Sequence, residues 1–159
     1  MCTFCPIPTD QQPLNEYQIL NNSILFNWPS QKLKIYFNYL LSVYSIGFFL
    51  TLVISINTEL AVVHFFDILL TGMIGGNLIL ILDLLRLYLG WSYICQRLLS
   101  ATVSYEESGW YDGQIWVKSS EVLIQDRLIG IYQVRPVLNR LKQTLGIVMV
   151  IFGFILLIR

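Results

Sequence analysis

Two long apolar runs, Phe37–Ile56 and Leu60–Leu82, separated only by the polar triplet Asn57-Thr58-Glu59, dominate the hydrophobic pattern of this chain. Each reaches the roughly 20 residues that a helix needs to cross about 30 Å of hydrocarbon. Lipid offers no hydrogen-bond partner to a bare N–H or C=O, so such spans must be helical. The short break predicts a tight turn between two antiparallel spans, with Thr58 capping the second. That second helix is expected to overshoot the bilayer to Leu89 and to stop at Gly90. A third apolar stretch, Leu145–Ile158, is short for a span, but counting from Pro136, which suits a first helical turn, gives enough length. With Arg140 and Lys142 snorkelling at the near face and Arg159 at the other, a third span is expected. A re-entrant or monotopic C-terminus is the alternative.

Outside the spans the period changes. Residues 1–16 carry Pro6, Pro8 and Pro13 and read as extended or irregular chain. Tyr17, Leu20, Ile24 and Trp28 recur at helical spacing, which predicts a short helix lying on the membrane with Trp28 at headgroup level, or else an irregular segment packed on the protein. Leu99, Ala101, Val103 and Tyr105 alternate with Ser100, Thr102, Ser104 and Glu106, the pattern of a half-buried strand. Ile115–Lys118 supplies its partner. The hairpin tip falls at Glu106–Gly109 with Asp112-Gly113 as a bulge, or Asp112-Gly113 is itself the turn. Two strands alone are marginal in water, so this hairpin must lean on something. Ser119 or Ser120 caps a helix from Glu121 to about Tyr132. The expected fold is a mainly α membrane protein: a transmembrane helical hairpin over 37–90 and a C-terminal span over 136–159. The segment 1–36 and a small α+β domain over 91–135 share one side of the membrane.

Composition sharpens this picture. Hydrophobic residues make up 55% and mean hydropathy is +0.63, above ordinary soluble domains. A length of 159 residues allows one domain, with too little water-facing chain for a sizeable independent core. Ten basic and ten acidic residues cancel, which argues against nucleic acid as a partner. Lys32 and Lys34 precede the first span, Glu59 marks its far end, and Arg86, Arg97, Lys118, Arg127, Arg135, Arg140 and Lys142 follow. The positive-inside rule then places the N-terminus and residues 90–142 on the cytoplasmic-type side. Neither a cleavable signal nor a transit peptide is apparent at the start. Ala61 and Ala101 are the only alanines, while Ile, Asn, Phe and Tyr abound, a bias that suggests an AT-rich genome such as an organelle's. In a plastid the two sides are stroma and lumen.

Several residue groups could carry chemistry. His64 and Asp67 lie three apart on one helical face, which Thr71 and Gly75 extend. A carboxylate in the bilayer costs on the order of 3 kcal/mol, so these groups are expected to face protein. They read either as a proton-relay, metal or pigment-ligand position, or as an Asp–His hydrogen bond tying helices together. Gly72 and Gly76 form a GxxxG, and Gly47, Thr51 and Ser55 line the first span; such faces serve close packing within the hairpin or contact with another membrane protein. Cys2 and Cys5 supply half of a four-thiolate set, with Cys95 a third thiol on the same side. An odd cysteine count argues against a disulfide framework. Adjacent Glu106 and Glu107 point to opposite faces of a strand and would not converge on one substrate atom. Asp126 and Arg127, with Arg135, Arg140 and Lys142, read as a mostly basic surface beside the membrane, suited to anionic headgroups or to an acidic protein face. The chain offers no nucleophile with its base, no phosphate loop and no zinc signature, and it reads as non-enzymatic with no cofactor assigned.

Three segments carry a family likeness: Cys5-Pro6-x-Pro8-x-x-Gln11-Gln12-Pro13-x-Asn15-Glu16-Tyr17, then Tyr105-Glu106-Glu107-Ser108-Gly109-Trp110-Tyr111-Asp112-Gly113-Gln114-x-Trp116-Val117-Lys118, and Asp126-Arg127-Leu128-x-x-x-Tyr132-Gln133-Val134-Arg135-Pro136. Together they resemble the family of the hypothetical chloroplast reading frame thirty-six. Its nuclear-encoded plant and algal relatives are called conserved in the green lineage and diatoms, number twenty-seven. The resemblance implies a plastid or cyanobacterial membrane protein with an auxiliary role at photosynthetic membranes, and some relatives are linked to growth under iron limitation; with the charge distribution above, the N-terminus is expected to be stromal and the membrane the thylakoid. It carries over no catalytic or ligand residue. The lipid bilayer and other thylakoid membrane proteins are the expected partners. Candidate contacts are Trp110, Tyr111, Asp112, Gly113 and Trp116 of the hairpin, then Asp126, Arg127 and Arg135, and the helix face of Gly72 and Gly76. The alternative is a metal- or proton-handling protein built on His64 and Asp67, with or without Cys2 and Cys5.

Overall fold

In a computed structural model of the protein, residues 7–57, 65–106 and 113–158 are described, and their packing separates two compact units. The first comprises Met1–Asn27 with Leu89–Asn139, the second Trp28–Tyr88 with Arg140–Arg159. Two helices are long enough to contribute to both units.

The first of these is α4, Phe65–Leu99. It runs through Gly90, where the sequence predicted a stop. The apolar stripe does not end there: Trp91, Ile94, Cys95 and Leu98 recur at helical spacing and are buried. Gly90 has a packing reason instead, since the Phe26 ring comes within 3.0 Å of where its Cβ would stand. The other long helix starts as α5, Ser120–Ile129, passes through a π turn at Gly130–Val134 and continues as α6, Arg135–Ile158. The expected break between Tyr132 and Pro136 is absent. Proline cannot donate to the i→i−4 ladder and its ring crowds the carbonyl four residues back; a wider turn just before Pro136 lets the helix pass without a stop. With α3, Leu33–Asn57, the chain has three helices long and apolar enough to cross a membrane among the described residues.

In the first unit, Pro13 opens α1, Pro13–Asn22, in place of the expected irregular chain, because its fixed φ suits a first turn. The helical reading of 17–28 is interrupted at Ser23, after which α2 covers Ile24–Asn27. Strands β1, Thr102–Glu106, and β2, Gly113–Val117, pair antiparallel from Thr102↔Val117 to Glu106↔Gly113. Glu106 and Gly113 close the ladder as partners, so Glu106 does not start the tip and Gly113 is not in a bulge. The turn itself lies outside the described residues. Alternation turns Val103 and Trp116 inward onto Ile7 and leaves Ile115 and Val117 on the outer face.

In the second unit, Trp28 is buried against the rings of Tyr36 and Tyr39, with centroids 5.3 and 5.9 Å away. Arg140 is turned to backbone carbonyls. Its Nη1 donates to the carbonyls of Pro29 (3.0 Å) and Gln31 (2.9 Å), its guanidinium lies over Tyr36, and the Tyr36 hydroxyl meets Thr144 Oγ1 at 2.7 Å. Between α3 and α4 small residues form the seam. A Cβ at Gly47 would sit 3.1 Å from Gly76 Cα, one at Gly72 would press on Leu52 and Phe48, and one at Gly75 would collide with Thr51. Gly72 and Gly76 are therefore occupied by contacts inside the hairpin rather than by an outer partner.

This seam gives a direct test. Gly75→Leu should cost about 1–3 kcal/mol through overpacking, whereas Gly146→Leu should cost little, since nothing lies within 4 Å of a Cβ there. Thermal unfolding in detergent, followed by circular dichroism, checks the pair; equal tolerance at both positions would place the seam elsewhere.

Candidate functional site

The residues singled out from sequence do not converge on one place. Cys2, Cys5, His64, Trp110, Tyr111 and Asp112 lie outside the described residues. Asp67 was expected to face protein, yet it is exposed in the first turn of α4, where a carboxylate suits the positive end of the helix. Its carbonyl accepts from Thr71 Oγ1 at 2.8 Å. Cys95 is buried in the packing of α4, and among the described residues no three His, Cys, Asp or Glu side chains gather as a metal site would require. Trp116 belongs to the small core with Val103 and Ile7. Of the expected basic surface, Arg127, Arg135 and Lys142 are exposed, whereas Asp126 is buried and Arg140 is turned to backbone carbonyls.

Two charged centres organise the first unit instead. Lys118 has a side chain 0% exposed, and its Nζ forms an ion pair with Asp126 Oδ2 at 2.6 Å. The same ammonium donates to the carbonyls of Arg97 (2.8 Å) and Leu98 (3.3 Å). These are last-turn carbonyls of α4 with no partner within the helix, so Lys118 acts as its C-terminal cap. The residue after β2 is thereby tied to the end of α4 by two hydrogen bonds and to the middle of α5 by the ion pair. The signal was present in the alternation: Lys118 is two residues after Trp116 and shares its inward side.

Arg97 is the second centre. Its Nη1 donates to Glu16 Oε1 (2.7 Å) and Tyr93 OH (2.8 Å), and its Nη2 to the carbonyls of Gln11 and Ser104 (both 3.2 Å). One planar guanidinium thereby joins the N-terminal segment, α4 and β1, a task its fork suits better than a lysine point charge. Glu16 Oε2 is buried without a hydrogen-bond partner. Burial pushes the Glu16 carboxyl above the ordinary range, and the Arg97 charge only partly offsets this. Beside Glu16 runs a groove of about 380 Å³ lined mainly by Ile19, Leu20, Phe26, Tyr93 and Ile94. No local sequence pattern pairs Glu16 with Arg97, 81 residues away. Both centres spend their charge on backbone carbonyls and on a carboxylate partner, while part of what the unit leaves outward is apolar. Ile115 and Val117 are 73% and 67% exposed, and Ile124, Leu128 and Tyr132 form an exposed helical stripe.

Two measurements test these centres. Lys118→Met and Asp126→Leu should each destabilise by about 3–5 kcal/mol, because each strands a buried charge, while the double variant should lose less than either. Denaturant unfolding in detergent reads the cycle, and purely additive losses would mean the pair is not coupled. For Glu16, a raised native pKa means that the native state holds the proton more tightly than the unfolded chain. Its contribution is therefore fully present below the ordinary carboxylate pKa and is lost as pH rises through the raised value. Wild type should lose stability relative to Glu16→Gln over that window just above pH 4.5, and parallel stability–pH curves would contradict the assignment.

The profile of a family described as CGLD27-like, Conserved in the green lineage and diatoms 27, matches residues 5–147. The chain is 80% identical to the uncharacterized protein ycf36 of Cyanophora paradoxa over 159 residues, all of both chains. It is 49% identical to the protein of the same name from Pyropia yezoensis over 149 residues, 91% of this chain and 87% of that one. A third relative is the Arabidopsis thaliana protein Conserved in the Green Lineage and Diatoms 27, chloroplastic. Identity there is 46% over 144 residues, 87% of this chain and 43% of the longer plant protein. No solved structure matches. With residues 5–147 matched by its profile and one 80% identical relative covered from end to end, the chain belongs to the CGLD27-like family.

Proposed function

We propose that this chain is a non-enzymatic integral membrane protein of the plastid thylakoid that binds another protein of the same membrane through the apolar outer surface of its first unit. The observation that carries this reading is an inversion of the usual polarity. Lys118, Asp126 and Arg97 point inward, while Ile115 and Val117 cover the outer face of a sheet of only two strands. An outward β-branched pair on the sheet and an exposed apolar stripe at Ile124, Leu128 and Tyr132 on the helix are surfaces of the kind a protein interface needs at its centre. Exposed Arg127 and Arg135 supply a polar rim.

Three helices of membrane length support insertion in the bilayer. The exposed cations Lys32, Lys34, Arg127, Arg135 and Lys142 support a stromal N-terminus and a stromal first unit under the positive-inside rule. A plastid location is supported by the chloroplastic Arabidopsis relative.

Tagged protein purified gently from native membranes provides the test. Ile115→Lys and Val117→Lys should strip the co-purifying membrane proteins at least tenfold while the chain itself accumulates normally, since neither side chain is in the core. Unchanged partners in both variants would remove the interface. Near-stoichiometric iron or zinc in the same preparation would instead favour a metal-handling role for His64 and Asp67, with or without Cys2 and Cys5.

A further inference from the structure

A second groove, of about 640 Å³, runs along α6 and is lined by Lys142, Gln143, Gly146, Ile147 and Val150. We infer that it seats a single membrane lipid with an anionic headgroup, the headgroup on Lys142 and Gln143 and an acyl chain along Gly146, Ile147 and Val150. The inference rests on the membrane reading above and adds to it a ligand class and a place.

Charge is the first argument. Lys142 is exposed, and from Arg127 to the end of the chain there is no acidic residue to neutralise it. The neighbouring cation, Arg140, is already engaged with the carbonyls of Pro29 and Gln31. Lys142 is thus the cation at the mouth of the groove, with Gln143 beside it as a neutral donor.

Position is the second. After Lys142 no charged residue appears until Arg159, so Lys142 stands at the boundary where the helix becomes wholly apolar, the level at which a lipid carries its charge. The groove starts at that boundary and follows the apolar part inward. From Lys142 to Val150 the helix advances roughly 12 Å at 1.5 Å per residue, close to half of the ~30 Å hydrocarbon thickness. One leaflet's depth is the dimension of a lipid chain, whereas a partner helix would follow the face across the full bilayer. The floor is low because Gly146 carries no side chain and nothing lies within 4 Å of its Cβ position.

The test uses the full chain in nanodiscs containing equal amounts of phosphatidylcholine and phosphatidylglycerol, with native mass spectrometry reading the lipid that remains bound on release. Wild type should retain one phosphatidylglycerol in preference to phosphatidylcholine. Lys142→Gln should lower that selectivity about fivefold, the factor corresponding to about 1 kcal/mol for one basic residue at an anionic surface, and Lys142→Arg should keep it. Gly146→Leu, which fills the floor without touching the fold, should reduce retention of either lipid. Unchanged phosphatidylglycerol retention in both Lys142→Gln and Gly146→Leu overturns the site, as does a Gly146→Leu variant that loses an oligomer while keeping its lipid. Carbonate extraction run alongside separates the two readings. A wild type that resists extraction but shows no lipid preference sinks the lipid site alone, and one that washes off sinks the membrane assignment beneath it.

Discussion

The ammonium of Lys118 holds the first unit together. It sits where three elements meet, on the carbonyls that α4 leaves open at its C-terminus and on the carboxylate of Asp126 in α5. A buried cation is expensive unless its charge is answered, and here one carboxylate and two backbone carbonyls answer it. The geometry is also restrictive. Only one arrangement of the strand end, the α4 terminus and α5 brings two carbonyls and a carboxylate within reach of one nitrogen. The pair thus selects a conformation for a sheet too small to be stable alone. Arg97 does the complementary work from the same last turn of α4, drawing Glu16, Gln11 and Ser104 onto that helix end.

The second unit obeys a different constraint. In the proposed membrane setting little hydrophobic force would act between apolar helices, because lipid tails are as apolar as the side chains, so close approach and dispersion would hold them. Gly47, Gly75 and Gly76 supply that approach, and Thr51 fills the space opposite Gly75 while its hydroxyl bonds back to the carbonyls of Gly47 and Gly72. Where the chain turns polar, Arg140 takes over, fastening α6 to the segment before α3 through the carbonyls of Pro29 and Gln31. Small residues in the apolar stretch and guanidinium donors outside it divide the task by solvent.

A charged residue in such a chain has two possible destinies, and sequence position does not separate them. Arg140 and Asp126 read as membrane-surface charge, yet each is drawn onto backbone or onto an opposite charge, as is Lys118. Lys142, two residues beyond Arg140 and so turned to another side of the helix, stays exposed. Glu106 and Gly113 show the same limit in the sheet. Both turn readings were compatible with local composition, but pairing fixes Glu106 opposite Gly113 and leaves neither in a bulge.

What the amino-acid sequence determined by itself was everything that follows from period and length: helices of membrane length, a two-residue alternation around Val103 and Trp116, the small-residue faces, and family membership through long motifs. These are properties of a segment considered alone, and hydrophobic burial acts on each segment in the same sense whatever its neighbours do. Tertiary structure decided the rest. That α4 passes Gly90 depends on the Phe26 ring, from a distant stretch, filling the space a side chain would need. That Arg97 finds Glu16, and Lys118 finds Asp126 and the end of α4, depends on distant stretches meeting. A hydrogen bond or ion pair is directional and short-ranged, so its partner is set by the packed fold and not by the residues beside it in the chain.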